Sequence, residues 1–393
     1  MRAEFLPFAP PLIGEEEIEE VVQTLRGGWL TTGPRTQQFE ERFADFVGAP
    51  AALALNSGTS AMHVALAALG IGEGDAVIST TMTFCSSIHV IEHRRARPVL
   101  VDVEPDTLNI DPERIESAVK NTPRVKAILP VHLYGQPADM DAIYDIAQRF
   151  GLAVIEDAAH SLPARSNGRM IGAPKPGFDP PNLVAFSFYA TKNLTTGEGG
   201  MLTGRPDLLD EARVWSLHGM SRDAFKRYTS AGSWRYEVVA PGFKYNMPDI
   251  QAAIGLHQLK RLNDMQRRRR AIVAQYDEAL GQLEELETPT VRPNVESAWH
   301  IYLLRLRPEH LKIDRDSFIE ELRQRNIGAS VHFIPVHLQP YYRDRYQLRP
   351  EGFPVAQSNF ERMLSLPLSP AHSDDDVADV IEAVTDIVQK NRV

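Results

Sequence analysis

The chain has 393 residues, of which 43% are hydrophobic and 24% charged, with a formal net charge of −10. That length suggests two or three units and a core that needs no staples. The acidic balance argues against a nucleic-acid or anionic-membrane partner. The single cysteine, Cys85, excludes an intrachain disulfide and points to a reducing compartment.

The N-terminal stretch is proline- and glutamate-rich where a signal peptide needs an apolar core, and no segment approaches a membrane-spanning length. A cytoplasmic protein is therefore expected. "GEEEIEEVVQTLR" (14–26) predicts an amphipathic helix with acids at its positive end and a "GG" stop. Short apolar runs follow: "AALAL" (51–55), "DAVIST" (75–80), "RPVLVDV" (97–103), "VKAILPVH" (125–132), "LAVIEDA" (152–158) and "LVAFSF" (183–188). Helical stretches such as "DPERIESAVK" and "DMDAIYDIAQRFG" lie between several of them. Apolar strands separated by helices predict a three-layer α/β/α unit around a mainly parallel sheet. "GAPKPGFDPPN" (172–182) reads as a rigid loop without regular structure. From Asp249 a long helical pattern begins, with a break expected near Leu262–Asn263, and its "RRRR" at Arg267–Arg270 reads as one solvated turn. A strand "HIYLLRLR", a helix "DRDSFIEELRQRNIG", a second strand "ASVHFI" and a terminal helix from Asp374 complete a smaller α+β unit. The division is placed at 1–255 for the large domain and 256–393 for the small one.

Ligands of open α/β sheets gather beyond the carboxyl ends of the parallel strands. The first strand delivers Asn56, Ser57, Gly58, Thr59 and Ser60 at a helix start, where free N–H groups and hydroxyls suit an anion. An ordinary N-cap by Ser57 or Thr59 explains the same residues. The strand from Asp75 ends in "TTMTFCSS", where Phe84 is either a lid over a flat ring or a core aromatic. "LAVIED" delivers Glu156 and Asp157, followed by His160. A carboxylate there needs donors, an arginine, or a cationic heteroaromatic nitrogen to balance it. "LVAFSF" delivers Ser187, Phe188, Tyr189 and then Lys192, one of nine lysines, in a loop of threonines and glycines. Desolvated near positive charge, such an amine loses basicity and becomes a Schiff-base nucleophile; alone, it reads as a surface charge. Singly, each feature has a plain structural explanation. Together they are an anion cradle, an aromatic lid, a carboxylate and an amine, the set that holds pyridoxal phosphate.

"SGTSA", "IEDAAHS", "FSFYATKNLTTGEGG" and "PGFKYNMPDIQAAIGL" resemble the DegT/StrS-type sugar aminotransferases, within the aspartate aminotransferase fold. "GGWLTTGPRTQQFEERF" (27–43) and "VHFIPVHLQPYYRDRY" (331–346) extend the resemblance nearly end to end. "FLPF", "GWLTTGP" and "PGFKYN" are most similar to the branch that forms UDP-4-amino-4-deoxy-L-arabinose. The resemblance implies that Lys192 binds the cofactor aldehyde and moves the reacting proton, while Asp157 pairs with the pyridinium nitrogen. It places His160, where many members have Gln, beside the phenolic oxygen, with Phe84 on the ring and Gly58, Thr59 and Ser187 at the phosphate. It implies a homodimer in which "GFKYN" reaches the partner's phosphate. Lys244 and Asn246 stand where many members have Asn and Arg, so either is a candidate for that contact. Trp29, Thr31, Arg35, Tyr189, His332, His337 and Tyr341 fall in substrate-contact positions. The loop 172–182 is longer than the usual link and bears on access to the site. No metal is called for.

The implied reaction moves an amino group from an amino acid, L-glutamate, to a nucleotide-linked 4-keto sugar. Relatives acting on cyclitols or forming aminohydroxybenzoate retain the lysine and remain alternatives. The related sugar 3-dehydratases carry histidine in its place, so Lys192 argues against them. A DNA-binding regulator is disfavoured by the charge of −10 and the lone four-arginine run.

Overall fold

The computed structural model describes residues 2–221 and 236–393. The elements of the first half run α1 (Glu15–Gly27), α2 (Pro34–Val47), β1 (Ala52–Leu55), α3 (Gly58–Ala68), β2 (Ala76–Thr80), α4 (Ser86–His93), β3 (Arg97–Val101), α5 (Pro112–Asn121), β4 (Val125–Leu129), α6 (Met140–Phe150), β5 (Ala153–Asp157), β6 (Arg165–Ser166), β7 (Arg169–Met170), β8 (Asn182–Ser187), β9 (Gly200–Gly204) and α7 (Pro206–Ser216). The second half continues with α8 (Asp249–Leu280), β10 (Leu286–Glu287), β11 (Val295–Glu296), β12 (Tyr302–Leu306), α9 (Arg315–Gln324), α10 (Pro340–Tyr346), α11 (Pro354–Arg362), β13 (Met363–Leu366) and α12 (Asp374–Asn391).

Seven strands form the main sheet in the order β1-β9-β8-β5-β4-β2-β3. All six runs read as strands are present, and β9 is added, antiparallel to β8 and β1. Alternation sorts the strand residues between two faces. Leu53, Leu55, Val77, Leu129, Ile155, Ala185 and Leu202 pack with α3, α4 and α7. On the opposite face Ala54, Phe186 and Met201 meet α2 and α8, and Ile78, Ile128 and Val154 meet α5 and α6. The result is a three-layer sandwich.

Several expectations are corrected. Helix α8 runs unbroken through Leu262–Asn263, because Leu259, Leu262 and Met265 stay on its buried stripe. Its first half packs on the sheet, whereas Ile272, Val273, Tyr276 and Leu280 pack with β12, β13, α9 and α12 in a second core that also takes in Leu6. The partners of α8 therefore change after Met265, beyond residue 255, and the N-terminal Leu6 joins the C-terminal elements. In the four-arginine turn, Arg267, Arg268 and Arg270 pair with Asp264, Asp374 and Glu296. Arg269 is instead buried, donating to Trp299 O at 3.3 Å and Leu368 O at 2.9 Å. "ASVHFI" forms no strand beyond a single Ser330–Ser365 bridge; β13, with β10 and β12, makes the small sheet. The loop 172–182 packs on α6, through Lys175–Asp141, Phe178–Tyr144 and Gln148–Asp179 contacts, and enters β8 at its amino end, away from the ligand edge. Among the described residues, no helix is long and apolar enough to cross a membrane.

Candidate active site

Glu156 and Asp157 are successive residues of β5, so their side chains leave opposite faces of the sheet. Glu156 turns toward α6, where it accepts from Nε2 of His132 (2.9 Å), from Nδ2 of Asn182 (2.9 Å) and from the hydroxyl of Tyr144 (2.5 Å). Three donors satisfy this fully buried carboxylate, and burial is outweighed so that its pKa is lowered. Asp157 turns toward α4. Ser87 Oγ donates to Oδ2 at 2.7 Å and the Ala159 amide donates to Oδ1 at 3.1 Å. Thr83 Oγ1 lies 2.9 Å behind Ser87 Oγ.

The same alternation aims Ser187 at α3 and buries Phe186 and Phe188 against Phe43. Helix α3 is capped by Ser57, whose Oγ accepts from the Ser60 amide at 3.0 Å. Gly58 and Thr59, at the first helical positions, keep amides outside the helix's own bonding. Gly58 packs on Ser187 so closely that a Cβ there would lie 2.9 Å from Ser187 Cβ. Behind them, a Cβ on Gly200 would lie 2.4 Å from the Ser57 carbonyl. Small residues thus bring a positive helix end, two hydroxyls and free amides together, a cradle suited to phosphate.

After Phe188 the loop is tied back on itself. The Thr196 amide donates to Phe188 O and the Phe188 amide to Gly199 O, at 2.9 and 2.8 Å. Thr195 Oγ1 accepts from the Gly197 amide at 3.0 Å. This closed loop directs Lys192 inward. Burial pushes its amine down to about 8, against the opposing charge of Asp157. His300 Nε2 lies 3.5 Å from Nζ. Burial also holds His160 and His300 well below the usual histidine range, and pushes His332 down to about 4, with the Lys192 charge adding to each. The His160 and His300 rings lie 4.4 Å apart. His160 Nδ1 accepts from the Tyr134 amide at 3.3 Å, so in the neutral ring Nε2 carries the proton. Phe333 stacks on His160 at 5.7 Å and meets Phe84 at 5.6 Å, while Phe84 itself is 56% exposed at the rim.

Lys192, Asp157, His160 and His332 thus share one neighbourhood, with Gly58, Thr59 and Ser187 forming the adjoining cradle. Tyr189 belongs to the same neighbourhood: its amide donates to Ser187 Oγ at 3.4 Å and its carbonyl accepts from the Lys192 amide at 2.9 Å. The remaining candidates make other contacts. His337 is a correction: it is fully buried, bonded to Thr81 Oγ1 (2.7 Å) and Gln357 Oε1 (3.1 Å) and stacked on Phe353. Arg35 is paired with Glu20 at 2.8 Å. Trp29 is exposed and donates to Thr32 O at 3.2 Å; Thr31, Tyr189 and Tyr341 are also exposed. Lys244 Nζ donates to Asn246 Oδ1 at 2.5 Å, and Asn246 Nδ2 donates to Thr32 Oγ1 at 2.7 Å. Sequence reasoning missed Ser87, His300 and Phe333. "TFCSS" contained Ser87 in plain view; nothing local marked the other two.

A lysine of lowered basicity, a carboxylate with a free edge and an anion cradle fit pyridoxal phosphate. A family model described as the DegT/DnrJ/EryC1/StrS aminotransferase family matches residues 11–385. The spore coat polysaccharide biosynthesis protein SpsC of Bacillus subtilis (strain 168) is 53% identical over 390 residues, covering 99% of this chain and 98% of that protein. MJ1066 of Methanocaldococcus jannaschii is 49% identical over 393 residues, the whole of both chains. Among solved structures, the candidate sugar aminotransferase Spr1654 of Streptococcus pneumoniae, in its PLP form, superposes with a TM-score of 0.89. It is 34% identical and covers 98% of this chain and 99% of its own. DesV of S. venezuelae, in complex with a ketimine intermediate, gives a TM-score of 0.86 at 34% identity, covering 98% of this chain and 99% of its own.

Proposed function

The chain belongs to the DegT/DnrJ/EryC1/StrS aminotransferase family, and we propose that it takes an amino group from L-glutamate and gives it to a nucleotide-linked 4-keto sugar. The product would be an amino sugar for a surface polysaccharide, a lipopolysaccharide or a natural product. The observation that carries this reading is the Lys192 amine, half-buried beside Asp157 and three neutral histidines and brought down to about 8. Bound pyridoxal phosphate supplies the aldehyde that the amine and the substrates engage, together with a ring that withdraws electrons.

At pH 7 about a tenth of such an amine is unprotonated, far more than for an ordinary lysine, and able to attack a carbonyl and to carry a proton to and from the reacting carbon. Asp157, steadied by Ser87 and the Ala159 amide, would hold the proton on the ring nitrogen. His160 presents an Nε2–H donor for the phenolic oxygen. Gly58, Thr59 and Ser187 would bind the phosphate, and Phe84 with Phe333 would exclude water from the open face. His332, which feels the Lys192 charge, and Tyr189, whose carbonyl accepts from the Lys192 amide at 2.9 Å, are the candidate sugar contacts beside the lysine; Trp29, Thr31, Arg35 and Tyr341 would take the outer part of the substrate. The active unit in this reading is a homodimer. Lys244, exposed and cationic although it donates to Asn246, offers the partner's phosphate a charge that the Asn246 amide lacks.

The likeness to the 4-amino-arabinose branch supports a 4-keto acceptor, and the name of SpsC supports a polysaccharide end use. The test is a panel of nucleotide-linked keto sugars with L-glutamate, following 2-oxoglutarate release. A protein that takes up the cofactor at Lys192 but aminates only a keto-cyclitol would refute the sugar assignment.

A further inference from the structure

The segment from Ser297 to Ile301 is pinned by its surroundings. The Ala298 amide donates to Gly135 O at 2.8 Å, and the amides of His300 and Ile301 donate to Tyr134 O at 3.1 and 3.2 Å. Gly135, at φ +110°, permits this approach: a Cβ there would lie 2.6 Å from Trp299 N. Arg269 holds Trp299 O at 3.3 Å and Gln266 holds Ser297 O at 3.1 Å. This frame carries one ring toward the site, with His300 Nε2 at 3.5 Å from Lys192 Nζ.

The other ring nitrogen meets Asn193 Oδ1 at 3.1 Å, and Asn193 Nδ2 donates to Ala298 O at 2.7 Å. That second bond decides the chemistry. With its NH2 committed to a carbonyl, Asn193 offers His300 only an acceptor. Nδ1 must then carry the proton, and Nε2 must turn a lone pair toward the amine.

We propose that His300 is a positioning residue for Lys192: a neutral imidazole, locked by Asn193 in the Nδ1–H tautomer, that accepts a hydrogen bond from the amine. This rests on the reading of Lys192 as the cofactor-binding amine. With one N–H held by His300, the amine's lone pair is restricted to two directions before any carbonyl arrives. His300 does not serve as the base. The groups bearing on it electrostatically are His160, Lys192, Arg269 and His332, each a cation when charged, and its Nδ1 partner is an amide rather than a carboxylate. Lys192 itself faces His160, His300 and His332 on one side of the balance and Asp157 on the other.

The test uses the cofactor-free protein. In imidazole-15N-labelled material, long-range 1H–15N correlation reads the tautomer of each histidine, and the His300 signal is identified by its loss in His300→Phe. The expected pattern is neutral Nδ1–H, constant from about pH 6 to 9. An Nε2–H tautomer, or titration within that range, overturns the proposal. Asn193→Leu should release the lock and give mixed tautomers; an unchanged signal there refutes the role of Asn193.

The second measurement is reductive methylation of Lys192, followed by peptide mass against pH. His300→Leu should lower the midpoint by about one unit, roughly tenfold in the protonation equilibrium. His300→Gln, which can offer an amide oxygen to the amine, should restore at least half of that shift. An unmoved midpoint in His300→Leu rejects the acceptor role. Neither measurement involves sugar or cofactor, so their failure leaves the aminotransferase reading standing. Failure of Lys192 to take up pyridoxal phosphate would remove that reading whatever His300 does.

Discussion

Asp157 and Glu156 have the same charge, adjacent positions and different work. Period-two alternation sends one carboxylate to α6, where His132, Tyr144 and Asn182 leave it no free edge, and the other to α4, where one hydroxyl and one amide leave room for a ligand. If Asp157 keeps the ring nitrogen protonated, its negative charge matters more than its shape. Asp157→Asn is therefore expected to keep the cofactor bound while lowering transamination by about 100-fold, near the upper end of what one charge-assisted bond is worth. Ser87→Ala keeps the charge and loses one donor, so it should cost only about 10-fold. Half-reaction rates with L-glutamate, read from the cofactor's absorbance, check both. A variant Asp157→Asn with wild-type rates would refute the assignment.

The elements matter here for what their ends do. The phosphate cradle depends on β9 lying against the start of α3, an approach open only to glycine at position 200. Gly200→Ala should force the two apart. The expected loss is about 1–3 kcal/mol of stability by overpacking, with weakened cofactor retention. Gly197 is the control: its φ is +77° and a Cβ there meets nothing within 4 Å. Gly197→Ala should cost about 1 kcal/mol through backbone strain alone and leave retention unchanged. Thermal unfolding with and without pyridoxal phosphate separates the two. The sequence pattern foretold the six parallel strands and the helix starts but not β9, a five-residue run bounded by glycines with little apolar signal of its own. It also misread 329–334, whose apolar residues pack individually as wall and rim instead of pairing in a sheet.

At the scale of the whole molecule, several buried neutral histidines make the fold sensitive to acid. His332 is pushed down to about 4 by burial and by Lys192, whereas in the unfolded chain it titrates near 6.5. Between those values the unfolded chain binds more protons than the native one, so stability is lost as pH falls through this window. The share of His332 is at most about 3 kcal/mol, with His160 and His300 acting in the same direction. The urea midpoint of the cofactor-free protein should fall markedly from about pH 7 to about pH 5, and less so in His332→Gln. Equal falls in the two proteins would show that His332 is not held neutral.

Local pattern was enough for the alternation of strands and helices, for the order in which strand ends deliver Gly58, Phe84, Asp157 and Lys192, and for the resemblance those motifs carry. These are properties of neighbours in the chain, where periods of 2 and 3.6 and turn residues record the outcome. Only the folded chain decided that Arg269 is buried, that His337 belongs to the core, that Phe333 joins Phe84 to His160, and that His300 meets Lys192 across 108 positions. Such contacts draw their energy from burial and bonding between distant segments, which leave no trace in the spacing of the residues around them.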